Sequence, residues 1–287
     1  MSGSSRRGFF RELAEAAAEA VREVQQGARE EPEPRPRLSE ADMDRYSRQL
    51  LLAEWSEAAQ LALREASVLV IGAGALASPA AAYLAGAGVG RLGIVDSDVV
   101  EISNLPRQHL HFTPDEGQPK VESAAAKLRF LNPDVLVETY QVWLDDGNAA
   151  ALVEGNDLVV DCSDSFDTRY NVNAACCDAG VPLVEAGVVG WSGLVMAIRP
   201  GESACYRCAF PEPPAPGSVP TCAEAGVLGP AAGVIGSLQA LEALKLLTGT
   251  GTPVTDAFLQ VDLADHATVR VAVRRRPDCP DCGRPTL

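Results

Sequence analysis

Lysine is scarce in this chain of 287 residues: only Lys120, Lys127 and Lys245 occur, so nearly all of its 24 cationic side chains are arginine. Histidine is as rare, at three, and aromatic residues make up 5%. His109, His111 and His266 have no spacing that suggests a catalytic or metal-binding set. A formal net charge of -15 excludes nonspecific attraction to nucleic acid or to an anionic membrane surface. No apolar run reaches the roughly 18 residues that suggest a membrane span. Ser5-Arg6-Arg7-Gly8-Phe9-Phe10 has the form of a twin-arginine export signal, but Arg11 to Val24 carries several glutamates and two arginines and forms no apolar h-region. A cytoplasmic protein is therefore expected. Phe10, Leu13, Ala17, Val21 and Val24 instead fall on one face of a helix.

The charged, proline-rich stretch Glu30 to Arg37 (EEPEPRPR) reads as a linker. It divides the chain into an N-terminal helix and linker (1–37) and a main domain (38–287). Leu38-Ser39-Glu40 opens a helix with Ser39 as a plausible N-cap. Strands are expected at Ser67 to Ile71, Arg91 to Val95, Val135 to Tyr140, Leu158 to Asp161 and Pro182 to Glu185. Helices are expected between them at Leu76 to Ala87, Lys120 to Leu131, Gly147 to Glu154 and Asp167 to Ala179. This alternation is that of a Rossmann-like, doubly wound α/β domain with a mostly parallel sheet. After Gly193 the alternation stops. Strands at Leu194 to Arg199, Ala257 to Asp262 and Thr268 to Val273 suggest an antiparallel C-terminal extension, interrupted by a helix from about Ala231 to Thr248. Pro211 to Pro220 is too rich in proline for regular structure and reads as a crossover segment.

Val68-Leu69-Val70-Ile71 runs into Gly72-Ala73-Gly74 and then a helix. Gly72 permits a tight turn, and Gly74 lets the backbone approach a phosphate at the helix N-terminus. Asp96, at the end of the next strand, suits a ribose hydroxyl, although an aspartate there also suits a solvated turn. Gly72, Asp96 and Asp164 all fall at carboxyl ends of strands, the edge where open α/β sheets bind ligands. Asp164 is open to two readings, a Mg²⁺ ligand or the N-cap of the next helix. Arg107 and Lys120 favour the first, because cations together with a metal neutralise a triphosphate. A lysine in the first turn of a helix is misplaced against the helix dipole unless it faces an anion. Arg48, Arg107, Lys120 and Asp164 thus point to ATP chemistry rather than hydride transfer.

Four of the eight cysteines form two C-x-x-C pairs, Cys205/Cys208 and Cys279/Cys282. Together they supply a closed tetrahedral Zn²⁺ set that would clip the C-terminal tail to the body, and a pair of pairs favours zinc over a redox motif. Cys162, Cys176 and Cys177 suit core packing. Cys222 suits either a buried small hydrophobe or a reactive thiol.

RYSRQLLL (from Arg45), VLVIGAGALAS (from Val68), GIVDSDVVEISNLPRQ (from Gly93), GQPKVESA (from Gly117), VVDCSDSFDTRYNVN (from Val159), CYRC (from Cys205), TCAEAGVLGP (from Thr221), GSLQALEALKLL (from Gly236) and DCPDCG (from Asp278) occur in this order. Together they resemble the MoeB/ThiF family of ubiquitin-activating-like adenylyltransferases, from about Leu38 to Gly283. The resemblance implies ATP-dependent adenylation of the C-terminal glycine of a ubiquitin-fold sulfur-carrier protein ending in Gly-Gly. Acyl-adenylate and pyrophosphate are the products, as a step in sulfur transfer for cofactor or tRNA-thiolation pathways. It further implies that Asp96 binds the ribose, that Arg107 and Lys120 contact the phosphates beside Asn104, and that Asp164 binds Mg²⁺. Arg48 would reach the site from the other subunit of a homodimer, and sulfur would come from a separate donor. In parts of the family a cysteine matching Cys222 forms covalent adducts. The chain departs from the family at Ala75 and Ala77, where glycines are usual, at Ser165 in place of an asparagine, and at Pro106 in place of a glutamine.

Two other functions are compatible with part of this pattern. An NAD-dependent oxidoreductase would use Gly72, Gly74 and Asp96 but neither the cations nor the thiols. A non-catalytic scaffold for a ubiquitin-fold partner would follow if Ala75 crowds the nucleotide.

Overall fold

A computed structural model describes residues 37–215, 218 and 225–283. The expected N-terminal helix, nearly all of the linker, Cys222 and part of the crossover segment lie outside the described residues. The helices are α1 (Glu40–Arg45), α2 (Ser47–Leu50), α3 (Glu57–Glu65), α4 (Ala77–Ala87), α5 (Lys120–Leu131), α6 (Ala149–Val153), α7 (Phe166–Ala179), α8 (Tyr206–Ala209) and α9 (Gly229–Thr248). The strands are β1 (Ser67–Ile71), β2 (Arg91–Val95), β3 (Leu136–Tyr140), β4 (Leu158–Asp161), β5 (Leu183–Val189), β6 (Ser192–Ile198), β7 (Ala257–Asp262) and β8 (Ala267–Ala272).

The strands form one sheet in the order β3-β2-β1-β4-β5-β6-β7-β8. Strands β1 to β5 run parallel, and β6, β7 and β8 continue the sheet antiparallel. The sheet is thus mixed and mostly parallel, with helices as crossovers. Every residue of β1 and β4 is buried, as expected of central parallel strands covered on both faces. Strand order reverses at β1, which pairs with β2 on one side and β4 on the other. The loops leaving β1 and β4 diverge there and open a crevice, which is the general origin of ligand sites in such sheets.

Two apolar layers cover the sheet. On one side α4, α5 and α9 pack on Val68, Val70, Leu92, Ile94 and Val160. On the other, α6 and α7 pack on Leu69, Ile71, Val159, Leu183 and the four clustered cysteines. Helix α9 is long and apolar enough to cross a membrane by length and composition. Here it packs against α3, α4, β5 and β6, and its polar Gln239 and Glu242 are buried in hydrogen bonds.

The largest extension of an expected strand is at β5. Strand β5 does not stop at Glu185 but runs to Val189 and turns back into β6 through Gly190-Trp191, with Val189 opposite Ser192. Gly190 has φ 60, the conformation that a glycine supplies at the first position of a two-residue hairpin. The α3 helix was not expected; Ser56 caps it by accepting a hydrogen bond from Ala59 N at 3.1 Å.

Candidate active site

The cleft above the strand reversal is walled by the glycine turn, the ends of β2 and β3, the loop after β4, and the segments carrying Arg107 and Val227. Gly72 has φ 90, and a Cβ there would lie 3.1 Å from the Cys162 carbonyl oxygen. The turn therefore needs glycine both for its conformation and for its approach to the β4 loop. Gly74 has only the Gln108 amide nitrogen within reach of such a Cβ, at 3.7 Å, so its bare backbone borders the cleft rather than protein. Ala75 also lines the cleft.

Asp96 follows β2, and its carboxylate accepts from Ala73 N at 2.7 Å and from Asp98 N at 2.8 Å. One side chain thus fixes the glycine turn and remains on the cleft wall. Its neighbours after β3, Val142, Trp143 and Leu144, make an apolar end to the same cleft.

Lys120 begins α5, as expected, but it is not a solvated first-turn lysine. It is 7% exposed, and its Nζ donates to Asp98 Oδ2 at 2.8 Å. Burial would disfavour an unpaired ammonium, and Asp98 satisfies it while leaving it on the cleft wall. Arg107 stands opposite, braced by donation from Nη1 to Ser103 O at 2.8 Å. Its segment presses on α9: a Cβ at Gly229 would lie 2.5 Å from Pro106 O.

Asp164 is exposed at the cleft, and its carboxylate has no hydrogen-bond or ion-pair partner among the described residues. The helix-cap reading fails, because α7 starts at Phe166 and Ser165 accepts from Thr168 N in its place. A free carboxylate facing a cleft with two cations fits a small hard cation bound together with phosphate oxygens.

Asn104 falls elsewhere, and Arg48 was expected only at the cleft of a second subunit. Asn104 is buried, and its side-chain oxygen accepts from Glu101 N at 3.1 Å. It closes a 3-10 turn (Ile102–Asn104) and is not on the cleft wall. Arg48 is exposed on α2, outside the cleft of its own chain.

Sequence reasoning missed two supports of the cleft. His111 is buried, with Nε2 donating to Ala73 O at 2.8 Å and Nδ1 2.9 Å from Ser123 Oγ. Arg169 is buried beside Glu185 and also lines the cleft. A histidine within NLPRQHLHF, a few positions after the expected site residue Arg107, was the available signal for the first. The second depends on contacts between distant residues and left no sign in local pattern.

In the layer that carries α6 and α7 the sulfurs of Cys205, Cys208, Cys279 and Cys282 lie within 4.8 Å of one another, all buried. Sγ separations of 3.9 Å (Cys205–Cys208), 3.6 Å (Cys205–Cys279) and 3.4 Å (Cys208–Cys282) match the spread of a tetrahedral thiolate set. Burial pushes the Cys279 thiol up, but hydrogen bonds from the backbone at Cys282 and Asp281, with those of the Cys205 and Cys282 thiols, together draw it below its ordinary range. Arg207 ties this knuckle to α7 by donating to Asp281 at 2.8 Å and stacking over Tyr170.

The chain matches the ThiF family over residues 46–281. It is 47% identical over 252 residues to the sulfur carrier protein adenylyltransferase of Thermus thermophilus, covering 86% of this chain and 93% of that one. It is 46% identical over 246 residues to the SAMP-activating enzyme E1 of Haloferax volcanii, covering 86% and 91%. The adenylyltransferase and sulfurtransferase MOCS3 of Sus scrofa is 49% identical over 256 residues, which are 88% of this chain but 56% of that longer relative. Among solved structures, Escherichia coli MccB with ATP superposes with a TM-score of 0.75 at 24% identity, covering 84% of this chain and 75% of MccB, a likeness of fold.

Proposed function

This chain belongs to the ThiF family, and on that footing we propose that it is an adenylyltransferase that activates the C-terminal glycine of a ubiquitin-fold sulfur carrier with ATP. The observation that carries the reading is the convergence of Arg107, Lys120 and Asp164 on one cleft with the glycine turn and Asp96. The terminal carboxylate of the carrier attacks the α-phosphorus of ATP. A carboxylate–phosphorus bond forms, the bond between the α- and β-phosphates breaks, and pyrophosphate leaves with its charge. The nucleophile is already an anion, so no general base is needed. The work is alignment and charge stabilisation.

In this reading Asp96 holds the ribose, the backbone around Gly74 and Ala75 faces the phosphates, and Arg107 and Lys120 offset their charge. Asp164 would hold Mg²⁺, which when bound supplies further neutralisation of the triphosphate. Arg48, remote from its own cleft, suits a contribution to the partner's site in a homodimer. The four thiols would hold Zn²⁺, and the domain runs from residue 38 onward in the cytoplasm. The oxidoreductase reading leaves both cations and the thiol cluster without a role.

The test is ATP–pyrophosphate exchange stimulated by a carrier ending in Gly-Gly. Lys120→Ala and Asp164→Ala should each cost about 3 kcal/mol of transition-state stabilisation, by analogy with the loss of one preorganised charge contact. Exchange that survives both substitutions at the wild-type rate overturns the assignment.

A further inference from the structure

Beneath the cleft lies a group of ionisable side chains to which the proposed chemistry gives no task. Asp161 and Glu185 are fully buried and sit directly opposite each other on β4 and β5. Arg169, in the first turns of α7, is 8% exposed, with Nη1 3.3 Å from Glu185 Oε1. Gly187 makes room for it, since a Cβ there would lie 2.7 Å from that Nη1. Two carboxyl groups thus face one guanidinium at a depth where surplus charge is costly. Burial first, then the neighbouring Asp161, pushes the Glu185 carboxyl well above the usual carboxylate range. Burial likewise pushes the Asp161 carboxyl up, against the pull of the Arg169 guanidinium.

A buried group of this kind is weak as a source of stability, so its placement needs another reason. Two of its bonds converge on one residue. Asp161 Oδ1 accepts from Ser163 N at 2.8 Å, and Arg169 Nη2 donates to Ser163 O at 2.9 Å. That carbonyl lies in the peptide plane joining Ser163 to Asp164, and the plane is rigid. Upstream, Cys162 N donates to Ile71 O at 2.8 Å and Gln239 Nε2 donates to Asp161 O at 2.7 Å. The backbone is therefore held as far as the peptide that enters Asp164, whose own side chain has no partner among the described residues.

We propose that Arg169, gripped by Glu185, is a positioning residue: by fixing the Ser163–Asp164 peptide it sets the direction in which Asp164 presents its carboxylate to the divalent cation that accompanies ATP. This rests on the reading of Asp164 as a cation ligand. Groups that orient ligands in this way are commonly worth about 10- to 100-fold in metal affinity.

The experiment is calorimetric titration of the full chain with ATP at increasing Mg²⁺, without carrier, so that the readout is binding rather than turnover. The double variant Arg169→Met/Glu185→Gln removes the grip and leaves Asp161, still accepting from Ser163 N, as the one carboxyl of the group. It should raise the half-saturating Mg²⁺ by about tenfold or more while leaving ATP affinity in chelator unchanged. Arg169→Lys, which keeps the charge but loses one donor arm, should shift it in the same direction and serves if the double variant does not fold. Glu185→Gln alone keeps an oxygen beside Arg169 and should behave as wild type. Asp164→Asn tests the underlying reading and should abolish the Mg²⁺ enhancement. If Asp164→Asn does so while the Arg169 variants keep the wild-type Mg²⁺ dependence, the positioning role is wrong and the cation site stands. If the Arg169 variants lose ATP affinity in chelator, Arg169 is a direct ligand and the positioning role is again wrong. If Asp164→Asn leaves the Mg²⁺ dependence intact, the cation reading itself falls.

Discussion

The imidazole of His111 spans from the Ala73 carbonyl, 2.8 Å from Nε2, to Ser123 Oγ, 2.9 Å from Nδ1. It thereby joins the glycine turn to the helix that carries Lys120. A carbonyl only accepts, so Nε2 carries the hydrogen. Burial draws the histidine below its ordinary 6.5 by more than Ala73 and Asp115 offset, and Lys120 and Lys127 add to it.

Replacing His111 with alanine strands a buried carbonyl and should cost about 1–3 kcal/mol of stability, with weaker ATP binding. The pH dependence has a definite sign. Above 6.5 the histidine is neutral in both folded and unfolded chains, and its contribution is fully present. As pH falls below 6.5 the unfolded chain takes up the proton first, and the contribution is lost. The stability gap between wild type and His111→Gln, measured by denaturant unfolding, should therefore shrink as pH falls through that range. A gap independent of pH would contradict the neutral assignment.

Gly229→Ala should displace the Pro106–Arg107 backbone, because the added methyl would meet Pro106 O at 2.5 Å. Overpacking of this kind costs about 1–3 kcal/mol. The effect on ATP affinity should be clear, whereas Gly233→Ala on the same helix, with nothing within 4 Å of its Cβ, should leave affinity unchanged. Calorimetry on both variants checks this.

Trp143 is 63% exposed where the apolar end of the cleft meets solvent. A purine base held there should quench its fluorescence. Trp143→Ala should weaken ATP binding by roughly 1–3 kcal/mol, the range for stacking a base on an aromatic ring, without changing Mg²⁺ dependence. Identical affinities for wild type and Trp143→Ala would place the base elsewhere.

The thiol cluster should yield one zinc ion per chain by elemental analysis. A strong chelator should release it, expose four thiols to a thiol reagent and lower the unfolding temperature. Cys279→Ser/Cys282→Ser should reproduce that lowering and abolish any further effect of the chelator. If chelation leaves the unfolding temperature unmoved, the knuckle folds without metal.

Much of the framework was legible because it is local. The limits of β1, β2, β4, β7 and α5 coincide with the expected ones, since each is a short apolar or amphipathic run ended by glycine, aspartate or asparagine. The β5–β6 hairpin was not legible: Gly190-Trp191 carries no strong turn pair, and its strands are set by pairing with each other and with β7. Gly72, Asp96, Arg107, Lys120 and Asp164 were legible as types at strand and helix ends, and the structure brings all five to one cleft. The partner of Lys120, Asp98, was not, because the pairing depends on how the loop after β2 folds over α5. Arg169 and Glu185 were hidden for the same reason, in that a buried charge reads like a surface one until its neighbours are known.

Helix α9 carries two bare spots about two turns apart. Gly229 lies against Pro106, and Gly236 lies against the Leu76 carbonyl at the start of α4. One rod therefore touches both banks of the cleft, the one bearing the cation and the one bearing the phosphate turn. Substitutions at Gly229 or at Gly236 would therefore reach the two banks separately, with every residue of the cleft left as it is.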